Sequence, residues 1–145
     1  MSNMQIRSFQ DSDEGAVIRL WERCGLLRPW NDPRKDIARK RRVQKELFLV
    51  GTVDGAIVAS VMAGYDGHRG WIYSVAVSPA HRRRGVGAQL VRFAERALAG
   101  KGCVKVNLQI MEGNESVAAF YGALGFSVEK RVSMGKRIHE NIDAA

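Results

Sequence analysis

The stretch "AVSPAHRRRGVGAQL", residues 76–90, decides how this chain reads. Three arginines, Arg82, Arg83 and Arg84, run directly into Gly85 and Gly87. The segment before them, "WIYSVAV", is a nearly continuous apolar run, the pattern of a central strand. After the glycines, Leu90, Phe93, Ala94, Ala97 and Leu98 recur at helical spacing and form one apolar face. A strand therefore turns into a helix at the arginines. The first turn of a helix offers unpaired N–H groups and the positive end of the macrodipole, which together favour an anion. Gly85 and Gly87 remove side chains where such a group must approach the backbone. The pattern predicts a cradle over Arg82, Arg83, Arg84, Gly85, Val86, Gly87 and Ala88 that suits a diphosphate better than a long polyanion. The plainer alternative is a turn shaped by two glycines and solvated by three arginines.

Working outward, "CVKVNLQI" (103–110) alternates apolar and polar residues as a strand does. From Trp71 to Ile110 the chain is then strand–helix–strand, a right-handed crossover between parallel strands. Such crossovers put a helix N-terminus at the carboxyl end of a strand, where α/β proteins bind ligands. Upstream, Asp11 and Glu14 have capping-box spacing, and Gly25 closes the helix that follows. Asp32-Pro33 reads as an N-cap with proline at the first helical position, opening a second helix to about Lys45. Asp54-Gly55 joins two apolar strands as a hairpin. "NESVAAFYGALGF" (114–126) reads as a further helix capped by Gly125. Two closing strands and a polar tail, "HENIDAA", complete the prediction. The expected order is β-α-α-β-β-β-α-β-α-β-β, without repeats or linkers, in one domain over residues 1–145.

Composition bounds the function classes. The chain has 145 residues, 46% hydrophobic and 26% charged, the balance of a globular domain with a real core. No apolar run approaches the length of a membrane span, and the first residues lack the apolar core of a secretion signal. Cys24 and Cys103 are too few and too far apart for a disulfide scaffold or a metal site. The expected setting is a reducing cytoplasm, with no membrane and no metal. The net charge of +8 favours an anionic partner, and residues 33–46 alone carry +5. A basic nucleic-acid-binding domain is the alternative this raises. No aromatics interleave the basic run and no binding motif accompanies it, so the expectation is no nucleic acid.

Val77, Pro79, Arg82, Gly85 and Gly87 form an unbroken V-x-P-x-x-R-x-x-G-x-G. This resembles the acetyl-coenzyme A signature of the GNAT (Gcn5-related) N-acetyltransferases, and "NESVAAFYGALGF" resembles their second motif. "LWERCGLLRPWNDP" and "MAGYDGHRG" look like the YpeA-type bacterial subgroup. The resemblance spans nearly the whole chain. It implies a mixed, mostly antiparallel sheet of about seven strands, splayed between the fourth and fifth and flanked by four helices. It also implies transfer of the acetyl group of acetyl-CoA to a primary amine of a small molecule or peptide, by direct attack in a ternary complex. A homodimer is compatible with it, as is a non-catalytic CoA sensor.

By the same resemblance, the turn from Arg82 to Ala88 holds the pyrophosphate, and Val75 and Val77 offer backbone groups to the pantetheine arm. Asn114 falls at a position near that arm. Tyr121 matches the tyrosine that protonates the departing thiolate, although its spacing to Val117 and Leu124 alone makes it a core residue. Many relatives carry a carboxylate base on a splayed strand. Here those strands offer Tyr73, Ser74 and Gln109 instead, leaving Glu112, Asp66 and His68 as candidates, each also an ordinary turn or loop residue. The acceptor side is expected to use Trp30, Asn31 and Tyr65.

Overall fold

The computed structural model describes residues 3–138. The chain divides into two compact units, Met1–Gln109 and Ile110–Ala145. The first contains β1 (Gln5–Ser8), α1 (Glu14–Arg23), α2 (Pro33–Lys40), β2 (Phe48–Val53), β3 (Ala56–Tyr65), β4 (Gly70–Val77), α3 (Val86–Ala99) and β5 (Val106–Asn107). The strands lie in sequence order, antiparallel from β1 to β4, with β5 parallel to β4.

Strand alternation assigns the two faces of this sheet. Phe48, Val50, Met62 and Ala76 meet Val17, Leu20, Trp21 and Ile37 in one core beneath α1 and α2. The Phe9 and Phe48 rings stack in it at 4.3 Å. The buried Trp21 indole N–H donates to Ser60 Oγ at 2.9 Å, so a polar tip deep in that core is satisfied. The opposite face receives α3, which buries Leu90, Val91, Ala94 and Leu98. Phe93 and Ala97, expected in that stripe, sit at its partly exposed margin.

The helix punctuation largely follows the sequence. α1 stops before Gly25, and the Asp32 carboxylate accepts the Arg34 N–H at 2.9 Å with Pro33 beside it. α2 ends at Lys40 rather than near Lys45. Gln44 there adopts a left-handed φ of 50°, which a continuing helix excludes. The capping interaction ahead of α1 is displaced from Asp11: Asp13 accepts the Gln10 N–H at 2.8 Å, while Asp11 pairs with Arg41 at 2.9 Å. Asp13 is buried and receives both Arg7 guanidinium nitrogens, at 2.7 and 3.0 Å. These bonds hold its carboxyl below the usual range, the Arg7 hydrogen bond being the largest cause.

The second unit holds α4 (Glu115–Ala123), N-capped by Asn114, whose side chain accepts the Val117 N–H at 3.4 Å. Here the structure corrects the expected strand count. Five strands are present among the described residues instead of about seven, because residues 127–138 form no regular element. Glu129, Lys130 and Arg131 interrupt the apolar alternation there, and Gly135 interrupts it again. The tail "HENIDAA" lies outside the described residues. The expected splay of the fourth from the fifth strand is present. Among the described residues no helix is long and apolar enough to cross a membrane.

Because folding depresses the Asp13 carboxyl, its stabilising contribution is complete above the unfolded carboxylate pKa, about 3.9, and fades as pH falls through the lower folded value. Asp13→Asn should cost about 2 kcal/mol at neutral pH. It should also flatten the acid limb of stability below about pH 4, measured by urea unfolding across a pH series.

Candidate functional site

The site grows from the parting of β4 and β5. Their pairing covers Gly70 with Val106 and Trp71 with Asn107, and β4 continues beyond it to Val77. Gly70 is required at the junction, since a Cβ there would lie 2.6 Å from Cys103 Sγ. Further along, Tyr73 pairs with Met62 and Ala76 with Ser60, so Ser74 and Val75 together oppose the single residue Val61. This is a β-bulge, and Ser74 takes a left-handed φ of 55° to make it. The bulge resets the alternation, so that Tyr73 and Ala76 face the same side. Beyond it, Ser78 N–H donates to Val58 O at 2.7 Å. That pattern turns the backbone groups of Val77 away from β3, towards the parted side of the sheet.

A 3₁₀ turn over Pro79–His81 then leads into the arginines. Arg82 Nε donates back to Val77 O at 3.1 Å, so this guanidinium braces the end of β4. Arg83 has a left-handed φ of 64°, and Gly85 follows at 77° as the N-cap of α3. A Cβ added to Gly85 meets nothing within 4 Å, so the approach to the helix start is open. The N–H groups of Val86, Gly87 and Ala88 occupy the unpaired first turn. Arg83 and Arg84 are exposed beside them, and the buried Nδ1 of His81, just before them, has no hydrogen-bond partner. This is an open, cationic, donor-rich surface suited to a phosphate group.

A small cleft of about 70 Å³ opens on the α1–α2 side of the same bulge. Its walls include Trp21, Leu27, Arg28, Asn31, Asp36 and Ser74. Of the three expected acceptor residues, only Asn31 lines it. Trp30 stands 67% exposed, and the Tyr65 hydroxyl is turned to the carbonyls of Gly67 and Gly102, at 3.3 Å each. Asp36, which also lines the cleft, was not among the expected site residues. Its carboxyl pairs with Arg39 and accepts from Asn31 Nδ2 at 3.3 Å. Burial pushes it up despite the nearby Arg39.

The base candidates are spread apart in character. Asp66 accepts the N–H groups of His68 and Arg69, both at 2.7 Å, and these bonds hold its carboxyl below the usual range. It is a turn-forming residue and a weakened base. His68 is exposed in the same turn. Tyr73, on β4 itself, has its phenol pushed up by burial. In the second unit, Glu112 and Asn114 are exposed, whereas Tyr121 is buried and meets Phe120 and Phe126 edge-on at 4.9 and 5.6 Å. Burial pushes the Tyr121 phenol up to about 12, so it stays protonated at any physiological pH. No group of three potential metal ligands converges among the described residues.

Residues 10–126 match the acetyltransferase (GNAT) family. An acetyltransferase of Yersinia enterocolitica is 49% identical over 135 residues, which cover 93% of this chain and 96% of the relative. Ard1 from Thermoplasma volcanium superposes with a TM-score of 0.78 at 26% identity, covering 87% of this chain and 84% of its own. AAC(6')-Iy, solved with the bisubstrate analogue CoA-S-monomethyl-acetylneamine, gives 0.76 at 20% identity, covering 94% and 99%, a likeness of fold.

The bulge carries its own test. Ser74→Gly should leave thermal stability unchanged or raise it, because glycine adopts the left-handed conformation freely. Ser74→Val should cost on the order of 1–2 kcal/mol. Equal melting temperatures for the two variants would remove strain from the account of β4.

Proposed function

This chain belongs to the GNAT family of acetyltransferases, and we propose that it transfers the acetyl group of acetyl-CoA to a primary amine by direct attack in a ternary complex. The reading takes residues 1–145 as one catalytic domain. The observation that carries it is the sequence of devices along β4: parting, bulge, then a helix start open to an anion. The residues fit coenzyme A. Val75 and Val77 lie where the backbone of β4 is unpaired by β5; the Val77 carbonyl already accepts from Arg82 and Cys24, so its N–H is the group offered to the amides of a pantetheine arm. The N–H groups of the Arg82–Ala88 turn, with Arg83 and Arg84, suit a pyrophosphate. Acetyl-CoA brings an acyl thioester already activated towards an amine.

What the chain adds is positioning and proton management. An acceptor ammonium entering the cleft meets the Asp36 carboxylate, then Ser74 at the bulge. To react, the amine must be neutral. At pH 7 an α-amine of pKa near 8 is neutral about one time in ten, whereas a lysine near 10.4 is neutral about once in a few thousand. Neither splayed strand carries a carboxylate, and Asp66 is held low, so the site is suited to an amine of lowered pKa. Tyr121 is the proton donor to the sulfur in this scheme. A phenol near 12 is a much weaker acid than a thiol near 8.5, so complete transfer is uphill. The stabilisation it supplies is a hydrogen bond that persists as the thiolate departs.

A panel of amines with thiol release as the readout tests the reaction. A peptide with a free α-amine should react faster at pH 7 than the same peptide acetylated at its N-terminus and bearing lysine. Absence of thiol release from every amine would leave a CoA-binding sensor. Tyr121→Phe should lower kcat about 100-fold with the KM for acetyl-CoA nearly unchanged. Because the phenol stays protonated, kcat/KM should show no falling limb below about pH 10 that disappears in this variant.

A further inference from the structure

α2 and the loop after it carry a second concave surface, separate from the acceptor cleft. A groove of about 360 Å³ is lined by Asp11, Ala38, Arg41, Arg42 and Lys45. Arg41 is paired with Asp11, while Arg42 and Lys45 are exposed. The loop that presents them is built to stay in place. Gln44 holds a left-handed φ of 50°, a conformation costly for a residue with a side chain. Its amide is clasped in both directions by Tyr65: Gln44 Nε2 donates to Tyr65 O at 2.9 Å, and Tyr65 N–H donates to Gln44 Oε1 at 2.8 Å. Beside it, the buried Lys40 ammonium donates to Val43 O at 3.0 Å and to Ala63 O. Burying that ammonium opposes its charge and pulls its pKa down. A strained glutamine and a buried lysine thus fix a loop whose outward groups are cations.

We propose that this groove docks an acidic stretch of a polypeptide acceptor, making the acetyltransferase selective for amines that precede acidic residues. The inference rests on the acceptor cleft assigned above. α2 links the two places, with Pro33 and Asp36 on the cleft and Ala38 on the groove. Asp36 and Ala38 stand about 200° apart around its axis, so a bound chain joining the two passes over the outer side of the helix, roughly 16–19 Å around a helix about 10–12 Å across, which about five extended residues cross. A free amine at Asp36 and carboxylates at Arg42 and Lys45 therefore belong to one short peptide. Charge favours this occupant over a nucleic acid. Duplex binders commonly neutralise about 6–10 phosphates, far more than this groove offers. No aromatic lines the groove to stack a base. A few cations suffice when the rest of the ligand is already held in the cleft, since the second contact is intramolecular.

The experiment compares two labelled peptides with free amino termini and about five neutral residues, followed by a run of glutamates or of glutamines. Fluorescence anisotropy with the full-length protein reads binding without catalysis, and acetyl transfer is measured in parallel. The glutamate peptide should bind at least 10-fold more tightly at low salt, with the advantage shrinking as salt rises. Arg42→Glu with Lys45→Glu should abolish that preference and leave the KM for acetyl-CoA unchanged. Equal binding of both peptides, or a preference that survives the double substitution, overturns the proposal. So does a single-stranded oligonucleotide that binds more tightly than the glutamate peptide through the same two residues. If the glutamate peptide binds as expected but neither peptide is acetylated, the groove stands and the assignment of the acceptor amine falls.

Discussion

The backbone of β4 needs hydrogen-bond partners along its whole length, and β5 supplies them only at Gly70 and Trp71. Much else in the first unit follows from that shortfall. The bulge at Ser74 and Val75 redirects the strand, and the pairing beyond it leaves Val77 facing away from β3. An open strand edge is ordinarily a hazard, because another chain can pair with it. In this fold the exposed stretch is short and ends in a cationic turn. A ligand with amide groups and a phosphate matches both features at once.

Electrostatics divide the molecule's labour in a similar way. The arginines at 82–84 are not equivalent. All three are exposed, but Arg82 is tied to the Val77 carbonyl and stiffens the turn, whereas Arg83 and Arg84 flank the helix start. The basic segment around α2 is also uneven. Lys40 is buried as a structural clasp, Arg39 neutralises Asp36, Arg41 neutralises Asp11, and Arg42 and Lys45 remain exposed on the groove. The net charge of +5 over residues 33–46 therefore resolves into one structural cation, two paired ones and an exposed set of Arg34, Lys35, Arg42 and Lys45. In the docking proposal, Arg42 and Lys45 are the part of that set that meets an acidic partner.

For Tyr121, the core reading and the proposed proton-donor role do not exclude each other. Its periodicity with Val117 and Leu124 marks a core position, and its ring is indeed buried against Phe120 and Phe126. The same burial keeps the phenol protonated, which is the state a hydrogen-bond donor to sulfur requires. Core packing and chemistry are not alternatives for such a side chain.

Much of the fold was legible in the sequence because its signals are local. The α3 stripe, the Asp32-Pro33 start of α2, the Asp54-Gly55 hairpin and the Gly85 turn each depend on neighbouring residues within a few positions. The cleft at the bulge was only partly legible: Asn31, expected on the acceptor side, lines it, while the places of Asp36 and Ser74 in its wall were not expected. Two closing strands were expected from local apolar residues, yet residues 127–138 form none, since a strand exists only through its pairing. By itself the sequence determined the strand-to-helix anion turn, the two motifs and the uneven charge. Only the tertiary structure decided which arginines are spent on structure, where Ser74 bends β4, and which carboxylate lines the cleft beside it. Those outcomes depend on contacts between residues distant in the chain, such as Gln44 with Tyr65 and Arg41 with Asp11, which no local pattern encodes.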